Sequence, residues 1–133
     1  MAIITKEQTF RGKKIQELTA LSVADFAKLC TSRARRTLIK TGVDKKILKK
    51  VEAQKKNAKA KAIRTHRRDL VVVPEMVGSR FAVYKGKEYE NVDIDIKMLG
   101  HYLGEFALTR KRLRHGKAGI GATKSSTAVT ARG

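Results

Sequence analysis

Residues 70–109 of this chain carry 4 Lys/Arg against 6 Asp/Glu, and on both sides of them the charge turns strongly positive. Residues 1–69 hold 20 Lys/Arg against 6 Asp/Glu, while residues 110–133 hold 7 basic residues and no acid. Any fold must accommodate this division. A near-neutral, apolar-rich stretch of about 40 residues lies at the lower limit of what sustains a core unaided. The N-terminal arm must therefore lend it helices, or the chain must rely on a partner for order. The arms bring the formal net charge to +19. Self-repulsion of that size gains nothing for a protein that stays alone, whereas each phosphate neutralised by a polyanion-bound protein releases counterions. Nucleic acid is the leading partner class on charge alone.

The chain is short enough for one domain at most, at 133 residues. Its single cysteine, Cys30, excludes an intrachain disulfide and a Cys-rich zinc site, and fits a reducing, intracellular home. No apolar run reaches membrane-spanning length, and the first eight residues show no apolar signal region, so cytoplasmic residence is expected. A surface-lying membrane helix ranks low, because the basic residues are spread around the helical faces instead of being split cleanly from the apolar ones.

The expected fold class is α+β. N-terminal helices precede a small, mainly antiparallel three-stranded sheet, and an extended basic tail follows. Ser22 with Asp25 three residues on reads as a capping-box-like helix start, and Leu21 with Phe26 as a hydrophobic staple. Val23, Phe26, Ala27, Cys30, Ala34 and Leu38 recur at helical spacing up to a stop at Gly42, which predicts one helix. A second helix starts at Asp44 around Ile47, Leu48 and Val51, and residues 54–62 read equally as helix or solvated linker. Residues 70–73, a continuous β-branched run stopped by Pro74, read as a central strand. Residues 80–84 and 89–96 read as a hairpin turning at Gly86. The expected organisation is a basic helical arm over 1–63, a small α/β core over 64–109 and a Gly-containing tail over 110–133. Both arms are expected to bury too little apolar surface for order away from the partner.

No constellation suits catalysis. His101 and Glu105 stand four apart, but no further His or Cys completes a metal set. His66 and His115 lie in basic stretches with no acid or nucleophile placed to serve them. Gly116, Gly119 and Gly121 do not form a phosphate loop, since no Gly-Lys-Ser/Thr closes the pattern before a helix. A backbone lying close against RNA and a plain flexible tail account for them equally well. Cys30 reads as a small buried hydrophobe. Tyr84, Tyr89 and Phe106 are expected to pack in the core rather than to stack on bases. In the Lys-rich second helix, Glu52 is the only acid between Lys45 and Asp69, which argues against a solvated face laced with ion pairs.

Three strings stand out: Val73-Pro74-Glu75-Met76-Val77-Gly78, Gly100-His101-Tyr102-Leu103-Gly104-Glu105-Phe106, and His115-Gly116-Lys117-Ala118-Gly119-Ile120-Gly121-Ala122-Thr123. In this order and spacing, and with Arg64-Thr65-His66-Arg67-Arg68-Asp69 before them, they resemble universal small-subunit ribosomal protein family nineteen, over about residues 10–126. The helical N-terminal arm and the Gly-Ile-Gly-Ala-Thr tail resemble its archaeal and eukaryotic branch. Lys85 replaces the family's usual Asn, Arg80 stands where a small or apolar residue is commoner, and the last seven residues depart from the eukaryotic terminus. The resemblance implies a non-enzymatic protein of the small-subunit head that binds small-subunit rRNA. It also implies family thirteen as a neighbour, and a C-terminal arm running toward the decoding region and A-site tRNA. No cofactor or metal is expected. The expected RNA-contacting residues are Arg33, Arg35, Arg36, Arg64, His66, Arg67, Arg68, Lys85, Lys87, His101, Arg110, Lys111, Arg112, Arg114, His115, Lys117 and Lys124. A basic nucleic-acid-binding regulator outside the ribosome is the alternative, and co-sedimentation with the small subunit at high salt separates the two.

Overall fold

The computed structural model describes residues 8–57 and 60–112. Four helices come first: α1 (Ile15–Ala20), α2 (Val23–Leu29), α3 (Ser32–Thr41) and α4 (Lys45–Lys56). Three strands follow, β1 (Ile63–Thr65), β2 (Arg80–Tyr84) and β3 (Tyr89–Asp93), in the spatial order β1-β2-β3. The β2–β3 pair is antiparallel, from Arg80 opposite Asp93 to Tyr84 opposite Tyr89, while β1 runs parallel to β2 over three residues. This is the expected α+β fold, with a mixed sheet whose longer ladder is antiparallel.

Local chemistry sets most of the boundaries. The Ser22 hydroxyl accepts from the Asp25 backbone N–H and donates to the Asp25 carboxylate, so the capping pair forms as read. Asp44 caps α4 through the Lys46 N–H. Gly42 ends α3 at φ 69°, a value that favours glycine.

Three features depart from the sequence reading. The single helix expected from Ser22 to Gly42 is two, parted where Cys30 and Thr31 take extended backbone. Thr31 and Ser32 are weak helix formers, and Arg35 reaches back from α3 to donate to the carbonyls of Ala27, Lys28 and Cys30. The guanidinium thus satisfies the orphan carbonyls that a helix end leaves behind. Val23, at the first position of α2, is the one member of the apolar stripe left exposed.

Residues 70–73 are not a strand of the sheet; its third strand is β1, at the edge, and β2 is the central one. The run is fully buried, as its composition demanded. Its backbone, however, bonds the 100–104 segment: Val72 donates to the His101 carbonyl, and Leu103 to that of Leu70. β1 escaped notice because three residues are too few for alternation to register. Finally, α1 lies where no element was expected. It has no side-chain cap and buries only Leu18, so it carries almost no pattern.

A single apolar cluster runs through both halves. Leu18, Phe26, Leu38 and Val51 from the four helices join Val72, Met76, Phe81, Val83, Leu99 and Leu103. The N-terminal helices therefore bury substantial apolar surface, contrary to expectation, because each short helix turns a different buried residue onto the same centre. Cys30 is buried, and burial pushes its thiol pKa up, so it behaves as a small hydrophobe. The expectation for the tail concerns residues that lie, from 113 on, outside those described.

Candidate nucleic-acid interface

The cations divide into those that hold the fold and those that face outward. Arg35 belongs to the first group through the three carbonyls at the end of α2. Arg68 also does: its fork donates to the carbonyls of Tyr84 at 2.8 Å, Gly104 at 2.8 Å and Ala107. The neighbouring Gly104 N–H donates back to the Arg68 carbonyl. Close approach here requires glycine, since a Cβ on residue 104 would sit 2.9 Å from the Arg68 Cβ and 3.0 Å from its carbonyl oxygen.

Arg67 bridges Asp44, the cap of α4, at 3.1 Å and Asp69 at 3.0 Å. The hydrogen bond from Arg67 holds the Asp69 carboxyl below the usual carboxylate range. That preference stabilises the fold above the ordinary aspartate pKa and is lost as pH falls through the lowered one. Its contribution is small, because both partners are largely exposed. Lys85, half-buried, pairs with Glu90 at 2.9 Å and Glu88 at 3.1 Å, and these bonds raise its ammonium pKa.

The outward group is Arg33, Arg36, Arg64, Lys87, Arg110, Lys111 and Arg112, all exposed. None of them is ion-paired to an acid among the described residues. Arg33 lies over the Tyr102 ring at 4.8 Å, and Tyr102 is anchored by a 2.8 Å bond between its hydroxyl and Thr37. Arg64 lies over the Tyr89 ring at 5.4 Å.

The fold brings these residues together in three places. Arg33 and His101 share a groove between the start of α3 and the 99–105 turn. Lys85, Lys87, Arg110 and Lys111 share another beside the β2–β3 hairpin. Arg64 opens onto a third, between α4 and the sheet. His101 is held by Glu105 at 2.7 Å, and His66 by the Tyr89 hydroxyl at 2.7 Å. Arg114, His115, Lys117 and Lys124 lie outside the described residues.

The tyrosines need correcting. Tyr84 and Tyr89 are not core residues. With His66 they form a three-ring cluster on the open sheet face, His66 being 4.4 Å from Tyr84 and 5.5 Å from Tyr89 between centroids. The core-facing positions of β2 are Phe81 and Val83, and strand alternation sends Tyr84 to the other side.

Sequence reasoning also missed Arg11. It sits at φ 51° beside Gly12, in a two-residue turn closed by reciprocal bonds between Phe10 and Lys13, and it lines the groove of Arg33 and His101. The Arg-Gly pair was the available signal. Lys50 and Lys61, dismissed into a general basic arm, both line the α4–sheet groove.

Among the described residues, no group of three or more His, Cys, Asp or Glu gathers to hold a metal. No described helix is long and apolar enough to cross a membrane. Residues 33–115 match the family model described as ribosomal protein S19, a span from the start of α3 through the whole sheet to the beginning of the basic tail.

Proposed function

Because the chain belongs to the ribosomal protein S19 family, and is thereby a non-enzymatic, cytoplasmic component of the small ribosomal subunit, we propose that it binds small-subunit rRNA in the subunit head near the decoding site. The outward cations make the contact, while Arg35, Arg67 and Arg68 serve mainly to position the backbone that carries them. The observation that supports this reading most is the sorting itself. Internal acids and carbonyls engage one set of arginines, and a second set is exposed without acid partners on several sides of one small body. Such delocalised cations neutralise phosphates and carry little sequence information. The neighbouring head proteins, family thirteen among them, and A-site tRNA are the further partners in this reading.

Single Ala changes at Arg33, Arg64, Lys87 or Arg110 should weaken rRNA binding similarly for all sequences, each lowering the salt slope by about 0.7–0.9 in log–log terms. Titrations of rRNA fragments across ionic strength check this. One such variant that abolishes discrimination among RNA sequences while keeping the slope would refute it. Co-sedimentation with the small subunit at high salt tests the reading as a whole.

The tail has its own role in this proposal. Residues 116–124 combine three glycines, two lysines and no acid, a composition suited to close approach to phosphate. Deleting residues 116–133 should leave assembly largely intact and weaken A-site tRNA occupancy or alter fidelity. Normal decoding on subunits carrying the truncated protein, or its failure to assemble, would count against this.

A further inference from the structure

The open face of the sheet carries a feature that phosphate neutralisation does not require. Across its middle row, Arg64 of β1, Ala82 of β2 and Asn91 of β3 stand side by side. The flanking residues on β2, Phe81 and Val83, point into the core. Ala82 is thus a small side chain between two long ones and leaves a recess over the sheet. Tyr89 stands at one end of it, backed by Tyr84 and His66. The C-terminal half of α4 forms the facing wall through Lys50, Gln54 and Asn57. The open groove so formed is about 1010 Å³, room for a stretch of chain and not merely an ion.

Its lining is chemically selective. Lys50, Lys61, Arg64 and Arg80 supply four cations, and among the described residues no acid lines the groove. Arg80 is partly spent on Asp93, its cross-strand neighbour, at 2.6 Å. Gln54 is wholly spent: its amide donates to the carbonyls of Lys61 and Arg80 and accepts from the Arg80 N–H, which pins α4 to the sheet and fixes the width of the groove. The side chains of Lys50, Lys61 and Asn91 make no hydrogen bond or ion pair with the described residues. What faces the groove is therefore positive charge, two unengaged amides, Asn57 on the helix side and Asn91 on the sheet, and an aromatic ring over an alanine floor.

We propose that this recess is a site for an unpaired RNA nucleobase, a refinement that rests on the rRNA-binding reading above. A duplex buries its bases and offers only phosphates and groove edges, so it has no use for a ring and an amide at the bottom of a recess. An unstacked base does, because single-stranded RNA is recognised by stacking on aromatic side chains and by amide contacts to base edges. The base takes the face of Tyr89 now covered by Arg64, since stacking outweighs an exposed cation–π contact. Asn91 meets its edge with both a donor and an acceptor. The displaced Arg64 guanidinium, with Lys50 and Lys61, holds the flanking phosphates. The Tyr89 hydroxyl, tied to His66, keeps the ring in place.

The chain has three tyrosines and no tryptophan, so its own fluorescence reports on stacking. The full chain is titrated with a single-stranded oligouridine or oligoadenosine of about eight nucleotides, and separately with a duplex of the same length. The single strand should quench tyrosine emission and the duplex should not. Tyr89→Ala should weaken single-strand binding roughly ten-fold or more, and Ala82→Leu, which fills the recess, should do the same. Both should bind the duplex as the parent does, and Tyr89→Phe should retain most of the affinity. Asn91→Ala, exposed on β3, provides a variant with no packing to lose and should alter the preference between the two oligonucleotides. If Tyr89→Ala and Asn91→Ala bind the single strand like the parent, the base site is refuted although rRNA binding stands. A parent chain that binds neither oligonucleotide nor small-subunit rRNA at low salt refutes the rRNA reading itself. Loss of a head-protein contact in these variants, with RNA affinity unchanged, would assign the face to protein instead and overturn the proposal.

Discussion

Arg68→Ala should destabilise the protein by about 3 kcal/mol, because it leaves partly buried carbonyls at Tyr84, Gly104 and Ala107 without their charged donor. These three carbonyls come from the end of β2, the 3₁₀ turn Leu103–Glu105 and the chain just after it. One side chain thus closes the sheet, the turn and the exit of the tail onto each other. For a chain of this size the loss should lower Tm by roughly 10 °C, read by calorimetry or circular dichroism. Arg68→Lys should recover only part of it, since an ammonium lacks the planar fork that reaches divergent acceptors. Gly104→Ala should act on the same joint from the other side. Its Cβ has no room against the Arg68 backbone, so the Gly104–Arg68 hydrogen bond must open. The two changes share one contact, and the double variant should be less destabilised than the sum of the singles. A Tm for Arg68→Ala equal to the parent's would show that Arg68 is an RNA ligand and not a structural clasp.

Arg68 also marks where the sequence stops being informative. A basic cluster at Arg64, Arg67 and Arg68 was visible, and so was its place before an apolar segment. Nothing in the string distinguishes the three. In space, Arg64 faces the groove, Arg67 bridges two aspartates and Arg68 clasps carbonyls from residues 16 to 39 positions away. Acceptors that distant leave no local pattern. The hairpin, by contrast, was legible in its pairing and its Gly86 turn, which are short-range signals, although its second strand ends at Asp93 and not at Ile96, where the alternating Ile94 and Ile96 lead into a 3₁₀ turn. The apolar run 70–73 was half legible. Its hydrophobicity dictates burial, but burial does not dictate which backbone answers its hydrogen bonds. Tyr84 and Tyr89 read as core because they are large and partly apolar in a stretch poor in other large apolar groups, whereas their side of the strand is set by register with Phe81 and Val83.

The N-terminal helices provide the sharpest quantitative test of that lesson. By charge and length they look like an appendage, and by packing they are half of the core. Phe26 of α2 is 1 % exposed and lies 6.0 Å from the Phe10 ring, within the cluster that reaches Val72 and Phe81. Phe26→Ala should therefore cost about 3–5 kcal/mol, a large share of the stability of a small domain. The more telling result is where the loss appears. If the helices and the sheet share one core, denaturant unfolding should remain a single transition, coincident by helical and tyrosine signals. Amide exchange protection at Val72, Phe81 and Val83 should fall together with that of α2 and α3. An arm that merely docks would lose its own helicity and leave the protection of β2 and β3 untouched, and that outcome would return the N-terminal region to the status of an independent basic arm. The shared core also sets what the helices are for. Arg33 and Arg36 ride on α3, and Lys50 on α4, so their positions relative to the sheet face are fixed by Phe26, Leu38 and Val51 underneath. Loosening that packing should spread the cations over many arrangements and add an ordering cost to RNA binding. Phe26→Ala should accordingly weaken rRNA affinity without changing the salt slope, because the number of phosphates met at the end is the same.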